Sequence, residues 1–431
     1  MNASEATSAD PTGWRTFRSR VGTHVLVLRG SQILDVDPAT ADALDDAALA
    51  EYLDHGADLG LSAVPAVAPQ SISLNVTSAC NLACSYCYAD RGRFGGAQGG
   101  AMGPRAAEEA IEKLLASCDR RAPVTIGFMG GEPFLHPALL AHVVDYASRR
   151  AGEVGQRVGF SVTTNGTRLT PADLDLVRSH PFAVTVSIDG GRATHDRLRL
   201  TVNGEGTWDE VLANVGPLLA EPGYASVTAR ATVWRDDLDL VGRHAALTAV
   251  GFTSIGFSPV RLGWGALRDE DWPRWTAASI ALGEQELAAV RAGAETTFDN
   301  FAVALRRLHA GSSSPFPCGA GGGYASVSTD GQWYACHRAV GSPEYALGDA
   351  TTHVDPARQL RFLTERHVER VEPCRSCWAR YLCSGGCHQE ASTRTDAACD
   401  AIRSWLEFCL DAYCVLSSER PDWFGPRAGG A

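Results

Sequence analysis

From residue 71 onward, short runs of alternating apolar and polar positions give way repeatedly to longer stretches with helical spacing. "SISLNV" at 71–76 reads as a strand, and "PRAAEEAIEKLLASC" as a helix with Pro104 in its first turn. "VTIGFM" at 124–129 is the next strand and "PALLAHVVDYASRR" the next helix. "RVGFSVTTNG", "FAVTVSID", "SVTARATV" and "FTSIGFSPV" are further strands, separated by helical stretches such as "TWDEVLANVGPLLA". Repeated strand–helix units build a parallel sheet with right-handed crossovers. About six such units fit between residues 71 and 300, so the expected fold is α/β, a partial (β/α)6 TIM-like barrel. In a barrel the chemistry sits at the C-terminal ends of the strands.

The two ends of the chain follow other patterns. "THVLVLRGSQILDVD" (23–37) reads as a hairpin turning at Arg29-Gly30-Ser31. "PATADALDDAALAEYLDHG" (38–56) reads as a helix, and "GLSAVPAVAPQ" (60–70) as a linker. Residues 1–65 are therefore expected to form a small separate module, and residues 71–305 the barrel. Beyond residue 311 the alternation stops. "YASVSTDGQWYAC" reads as a hairpin with Asp330-Gly331 at its turn, inside a cysteine-dense region spanning 311–414. Residues 415–431, including "SSERPDWFGPRAGGA", read as a loose tail.

A chain of 431 residues is long enough for two or three domains. The net charge of −12, without a long Lys/Arg run, argues against a nucleic-acid partner. No apolar run approaches the roughly 18 residues of a membrane span, and the first residues lack the features of a secretory signal. The expected location is the cytoplasm, without membrane attachment. There, 13 cysteines at short spacings point to metal or redox chemistry rather than disulfides.

The sharpest group is "SACNLACSYCYAD" (78–90), directly after the first barrel strand. Cys80, Cys84 and Cys87 are spaced C-x3-C-x2-C, with Tyr86 before the last. A structural zinc site usually wants four protein ligands. An iron–sulfur cube held by three cysteines keeps one iron open to a ligand that is not protein. On spacing alone, a zinc knuckle and an open cube both stand.

The motif, in this position, resembles the signature of the radical S-adenosylmethionine (SAM) enzymes. In that family the open iron binds the amino and carboxylate groups of S-adenosyl-L-methionine. Reductive cleavage yields a 5′-deoxyadenosyl radical that takes a hydrogen atom from the substrate. Further segments match in order. "MGGEP" (129–133) is similar to the family's Gly-Gly-Glu-Pro motif, which implies that Gly130, Gly131, Glu132 and Pro133 hold the cofactor's amino group. "TTNGT" (163–167) implies contacts from Thr164 and Asn165. "SIDGGRATHDRLR" (187–199) resembles the family's next motif and brings in Ser187, Asp189 and Arg199. Ser187 and Arg230 are then candidates for the cofactor carboxylate, and Tyr86 belongs to the same cofactor-binding set.

The C-terminal region carries Cys318 and Cys336, then C-x2-C-x5-C-x3-C at Cys374, Cys377, Cys383 and Cys387, then Cys399. These spacings would also permit a zinc ribbon. Following the motifs above, they resemble the SPASM extension, which carries two auxiliary [4Fe-4S] clusters. The resemblance implies one cluster on Cys318, Cys336 and Cys387 and another on Cys374, Cys377, Cys383 and Cys399. Seven cysteines leave one position short of a thiolate. Either Cys409 or Cys414 fills it, or it is open; the helical setting of both favours the open reading. Cys118 reads as a core thiol.

SPASM enzymes modify peptides or proteins, and two subclasses compete. The sulfatase-maturing enzymes, which make formylglycine, place an Asp after a cluster cysteine as base. Here that residue is His337, in "CHRAVG", a context more like the peptide maturases that form thioether, C–C or ether cross-links. His337 is the catalytic candidate, as proton acceptor or as a substrate-positioning group. The implied partners are a precursor peptide with a leader and an external electron donor such as flavodoxin or ferredoxin. The N-terminal hairpin edge could take the leader as an added strand. The Gly-rich loop 91–103 could act as a lid. A zinc-binding interaction scaffold is the alternative of another class.

Overall fold

The computed structural model describes residues 13–43, 67–94, 100–311 and 313–425. Six parallel strands form the barrel: β4 (Ser71–Thr77), β5 (Val124–Gly130), β6 (Val158–Thr164), β7 (Phe182–Ser187), β8 (Ser226–Val233) and β9 (Ile255–Pro259). They hydrogen-bond in chain order. Three antiparallel strands precede them: β1 (Trp14–Ser19), β2 (Gly22–Val27) and β3 (Gln32–Val36). After them come β10 (Tyr324–Val327), β11 (Trp333–Tyr334) and β12 (Ala346–Gly348). The helices used below are α1 (Pro38–Ala43), α2 (Pro104–Ser117), α3 (Pro137–Glu153), α4 (Pro171–Arg178), α5 (Arg192–Leu198), α6 (Trp208–Ala220), α7 (Leu240–Ala249), α8 (Trp272–Arg291), α9 (Asp299–Ala310), α10 (Pro356–Arg366), α11 (Arg380–Cys383) and α12 (Asp396–Glu419).

The strand alternation separates two environments. Outward-facing Ile72, Leu74, Phe128, Phe160, Val162, Val184, Val186 and Ala231 are buried and join the main core. Inward-facing positions are small or polar: Ser73, Asn75, Gly127, Ser161, Thr163, Thr185, Ser187, Thr228, Thr232 and Ser258. From β6 to β9 these inward residues keep partial accessibility. A TIM barrel fills its interior with branched apolar side chains. This barrel keeps a polar hollow with room for ligands.

The barrel is also open at its β4 edge, and the cysteine-rich region attaches there. β10 pairs parallel to β4, with Tyr324 opposite Ser71 and Val327 opposite Leu74. β11 turns back against β10, and β12 ends the nine-stranded sheet. The hairpin thus carries Cys336 to the barrel's own first strand.

Two terminal expectations change. The expected N-terminal hairpin is present as β2 and β3, β1 adds a third strand to it, and the unit packs on the rest of the chain. Leu26 and Leu28 belong to the main core, Arg15 lies over Trp378 at 4.4 Å, and Arg20 pairs with Glu284 and Asp411. The expected helix from 38 is seen as α1; its remainder, most of the linker, and positions 95–99 of the Gly-rich loop lie outside the described residues. The C-terminal stretch is not a loose tail from 415. α12 runs to Glu419, and Phe424 stacks on His309 at 4.7 Å and meets Tyr413 at 5.0 Å. Apolar contact with the core outweighs the Pro/Gly composition there. Among the described residues no helix is long and apolar enough to cross a membrane.

Phe424→Ala should lower stability by about 1–2 kcal/mol, less than a fully buried aromatic. A thermal melt checks this, and an unchanged midpoint would contradict the packing of the C-terminal turn.

Candidate active site

The cysteine loop follows β4 at the C-terminal end of the barrel and is held by backbone contacts. Ala83 N donates to Leu200 O at 2.7 Å, and Ser85 N to Leu198 O at 3.3 Å. On its other side, Gly131 N donates to Thr77 O at 2.9 Å and Glu132 N to Ala79 O at 3.0 Å. Two glycines permit that approach. A Cβ on Gly131 would lie 2.0 Å from Ala79 O, and one on Gly130, whose φ is +133°, would lie 2.4 Å from Thr77 O. Neither position tolerates a side chain.

Cys80, Cys84 and Cys87 lie within electrostatic range of one another. Burial pushes the Cys80 thiol up to about 11 and the Cys84 thiol up to about 12. Such thiols keep their protons at neutral pH until a metal displaces them. Asn165 Nδ2 approaches Cys80 Sγ at 3.9 Å and donates to Asn81 Oδ1 at 3.0 Å, so "TTNGT" grips the cysteine loop directly.

Glu132 has no accessible surface. Its Oε1 accepts from Phe134 N at 3.1 Å and Thr164 Oγ1 at 2.8 Å, and its Oε2 from Asn165 N at 2.7 Å. Burial pushes its carboxyl up to about 7 against those bonds. Glu132 therefore ties the ends of β5 and β6 together rather than presenting an oxygen to the hollow, which differs from the expectation of direct amine contact. Pro133 is buried beside it. The free acceptor nearby is Asn75 Oδ1, buried and unpartnered among the described residues, 2.8 Å from where a Gly130 Cβ would stand.

Asp189 is likewise inaccessible. Its Oδ2 accepts from Arg199 Nε at 2.9 Å and from the Tyr86 hydroxyl, and its Oδ1 from Thr232 N at 2.8 Å. Burial works against the charge of Arg199, yet Asp189, Tyr86 and Cys84 hold its pKa above the ordinary arginine value. The guanidinium lies over the Tyr86 ring at 5.4 Å. This triad props the cysteine loop from behind Cys84. Ser187 and Arg230 are different. They are directly paired neighbours on β7 and β8, face inward, and stay accessible, with Arg230 Nη2 donating to Ser258 Oγ. Desolvation among the side chains crowding the hollow lowers the Arg230 pKa.

The seven C-terminal cysteines separate into two groups. Cys336 lies near Cys387 and Cys318. Cys374, Cys377, Cys383 and Cys399 lie near one another and line one pocket with Arg394 and Arg403. Cys409 is fully buried in α12, and Cys414 sits against Ser19 and Asp35 on the N-terminal strands and near Asp411 on its own helix. Both are core thiols that join neither group. Cys118, half-buried at the end of α2, donates to Leu115 O and joins neither group. Among the described residues no three His, Cys, Asp or Glu side chains converge tightly enough for a single metal ion. One zinc needs its ligands around one point, whereas a cube spreads its thiolates over separate irons. The donor sets, the two-glycine cradle and the orphaned Asn75 acceptor fit clusters and an amine-bearing cofactor.

His337 follows Cys336 and faces β10. Its Nδ1 meets Tyr324 Oη at 2.9 Å, Tyr324 Oη meets Ser73 Oγ at 2.6 Å, and Ser73 Oγ donates to Ser326 Oγ at 2.9 Å. Burial pushes His337 down to about 4, so the ring is neutral at neutral pH. Tyr88, after Cys87, lies within range of Cys336 and keeps 47% of its surface. Sequence reasoning missed Asn75, Tyr324 and Tyr88. The only signal for Asn75 was a polar residue at an inward strand position.

Residues 74–220 match the Radical SAM superfamily model. These residues form a radical SAM domain. The chain is 26% identical over 72% of its length to a serine-type anaerobic sulfatase-maturating enzyme of Klebsiella pneumoniae, covering 79% of that protein. It is also 26% identical over 79% of its length to the mycofactocin maturase MftC of Mycobacterium ulcerans, covering 86% of it. A solved structure, native anSMEcpe with bound AdoMet and Cp18Cys peptide, shares the fold with a TM-score of 0.67 at 19% identity, over 81% of this chain and 99% of that one. The radical SAM domain and its maturase relatives make the chain an enzyme in place of a zinc scaffold. The family's reaction runs on S-adenosyl-L-methionine and a [4Fe-4S] cluster, and the cysteine-rich extension fits relatives with auxiliary clusters.

Gly131→Ala should displace the cysteine loop, lowering stability by roughly 3 kcal/mol and iron content by about four per chain. Unchanged melting and full iron would contradict the seat.

Proposed function

We propose that this enzyme matures a ribosomally made peptide in the cytoplasm by joining two of its side chains. The observation that carries this reading is the set Cys318, Cys336 and Cys387, which has no fourth thiol although Cys409 and Cys414 were available in the sequence. A cluster held by three cysteines leaves one iron for a substrate thiolate. When bound, S-adenosyl-L-methionine supplies a carbon radical that takes a hydrogen atom from the substrate.

The chain's own groups then have distinct tasks. Cys80, Cys84 and Cys87 hold the first cluster. Gly130, Gly131 and Asn75 Oδ1 receive the cofactor's amine, while Glu132, Pro133, Thr164 and Asn165 hold that cradle in place. Ser187 and Arg230 receive its carboxylate, a role supported by their adjacency across β7 and β8. Tyr86, Asp189 and Arg199 brace the loop. Cys374, Cys377, Cys383 and Cys399 would hold the outer cluster, and the electrons would come from a donor such as flavodoxin or ferredoxin. His337, fixed through Nδ1 by Tyr324, leaves Nε2 for the substrate proton. The outer edge of β3, which pairs only with β2 among the described residues, is where an extended leader would add as a strand.

Sulfatase maturation is the second reading, favoured by the likeness to the Klebsiella enzyme. His337 after Cys336, in place of Asp, weighs against it.

Co-expression with short reading frames encoded beside the enzyme, followed by mass analysis, tests both. Loss of two hydrogens per event in a product inert to hydrazide supports cross-linking. A product that reacts as an aldehyde would overturn it in favour of formylglycine. His337→Ala should reduce product at least about 100-fold while cofactor cleavage persists; full product would remove His337 from the chemistry.

A further inference from the structure

Arg338 occupies an unusual junction. Its backbone N–H donates to Cys336 Sγ at 3.4 Å, and its Nη1 approaches Cys387 Sγ at 3.5 Å. The same Nη1 donates to Glu390 Oε1 at 2.7 Å. Its guanidinium lies over the Tyr88 ring at 5.1 Å, one residue beyond Cys87. Its Nε–H is buried with no partner among the described residues. Glu390 is shared with Arg261, whose Nε lies 3.5 Å from Oε2, and Arg261 is itself packed over Trp272 at 4.3 Å. One residue therefore directs two N–H groups at two thiols of one set, and its cation sits between that set and the loop of the first cluster.

We propose that Arg338 is a positioning residue that sets the reduction potential of the cluster on Cys318, Cys336 and Cys387, with Glu390 as the counter-charge that moderates it. The inference rests on the reading of those three cysteines as cluster ligands. Hydrogen bonds to cluster sulfur and nearby positive charge favour the reduced, more negative state. Three protein thiolates and a substrate thiolate concentrate negative charge in a half-buried place, where a fixed cation counts for more than in water. Reduction places one electron on cluster iron and moves no proton on or off Arg338, because a guanidinium stays protonated throughout. The Tyr88 stack fixes the cation's distance from the thiols, a task lysine, without a planar face, does poorly.

The test is a dithionite titration of the anaerobic holoenzyme with redox mediators, followed by electron paramagnetic resonance, with iron counted in each protein. Arg338→Gln should move the midpoint of this cluster to more negative potential and leave the other two unmoved. Glu390→Gln should move the same midpoint in the opposite direction. Arg338→Lys should recover part of the shift. If Arg338→Gln loses the cluster, the Glu390→Gln shift decides. A normal signal whose midpoint ignores these substitutions, or moves the same way in both, overturns the inference alone. No cluster on this cysteine set in the unsubstituted protein overturns the ligand reading along with it.

Discussion

Backbone packed on backbone at the end of the first two barrel strands is the contact on which the rest of the site depends. Gly131 and Ala79 approach so closely that a single methyl group at position 131 would stand 2.0 Å from a carbonyl oxygen. That approach lets two N–H groups of the β5 turn bond to the β4 loop, and the loop carries Cys80, Cys84 and Cys87. Buried polar groups then lock it from both flanks. Glu132 draws in Thr164 and Asn165 on one side, and Asp189 draws in Tyr86 and Arg199 on the other. Neither carboxylate has surface to spare for a ligand, and each fixes residues that hold the cysteine loop. Such full satisfaction is what makes a buried polar network specify one arrangement.

A second constraint is the polar interior. Small inward residues on β6 to β9 leave space that a filled barrel lacks, and β10 closes the open edge at β4. Because β10 lies beside β4, Ser73 and Tyr324 meet, and Tyr324 orients His337. The cysteine-rich region is thus a continuation of the barrel's sheet rather than an appended domain. Its thiols at Cys336 and Cys387 come to face Tyr88 and Arg338 near the first cysteine loop.

Much of this was legible in the chain. The six strands stand out because outward positions are uniformly apolar and inward ones small or polar, a period-two signal that survives without tertiary knowledge. The cysteine groups were legible from spacing. What spacing could not carry were pairings between distant segments. Ser73 and Tyr324 are about 250 positions apart, and Arg338 meets Glu390 only because the 336–340 turn packs on the turn after Cys387. The steric need for Gly131 was also hidden, since a Gly-Gly pair reads the same whether it approaches a ligand or its own backbone. The N-terminal strands misled for a related reason. Leu26 and Leu28 satisfy a strand pattern whether they cover their own sheet or the main core, and only the tertiary packing decides.

The proposed function has ten cysteines act as three independent sets of three, three and four. Iron and sulfide content of three anaerobically purified variants, each with one whole set changed to Ala, tests it most directly. Each variant should lose about four irons and keep the remaining sets filled. Loss of a second cluster on removal of one set, with the fold intact, would contradict the partition, as would zinc in place of iron in the unsubstituted protein.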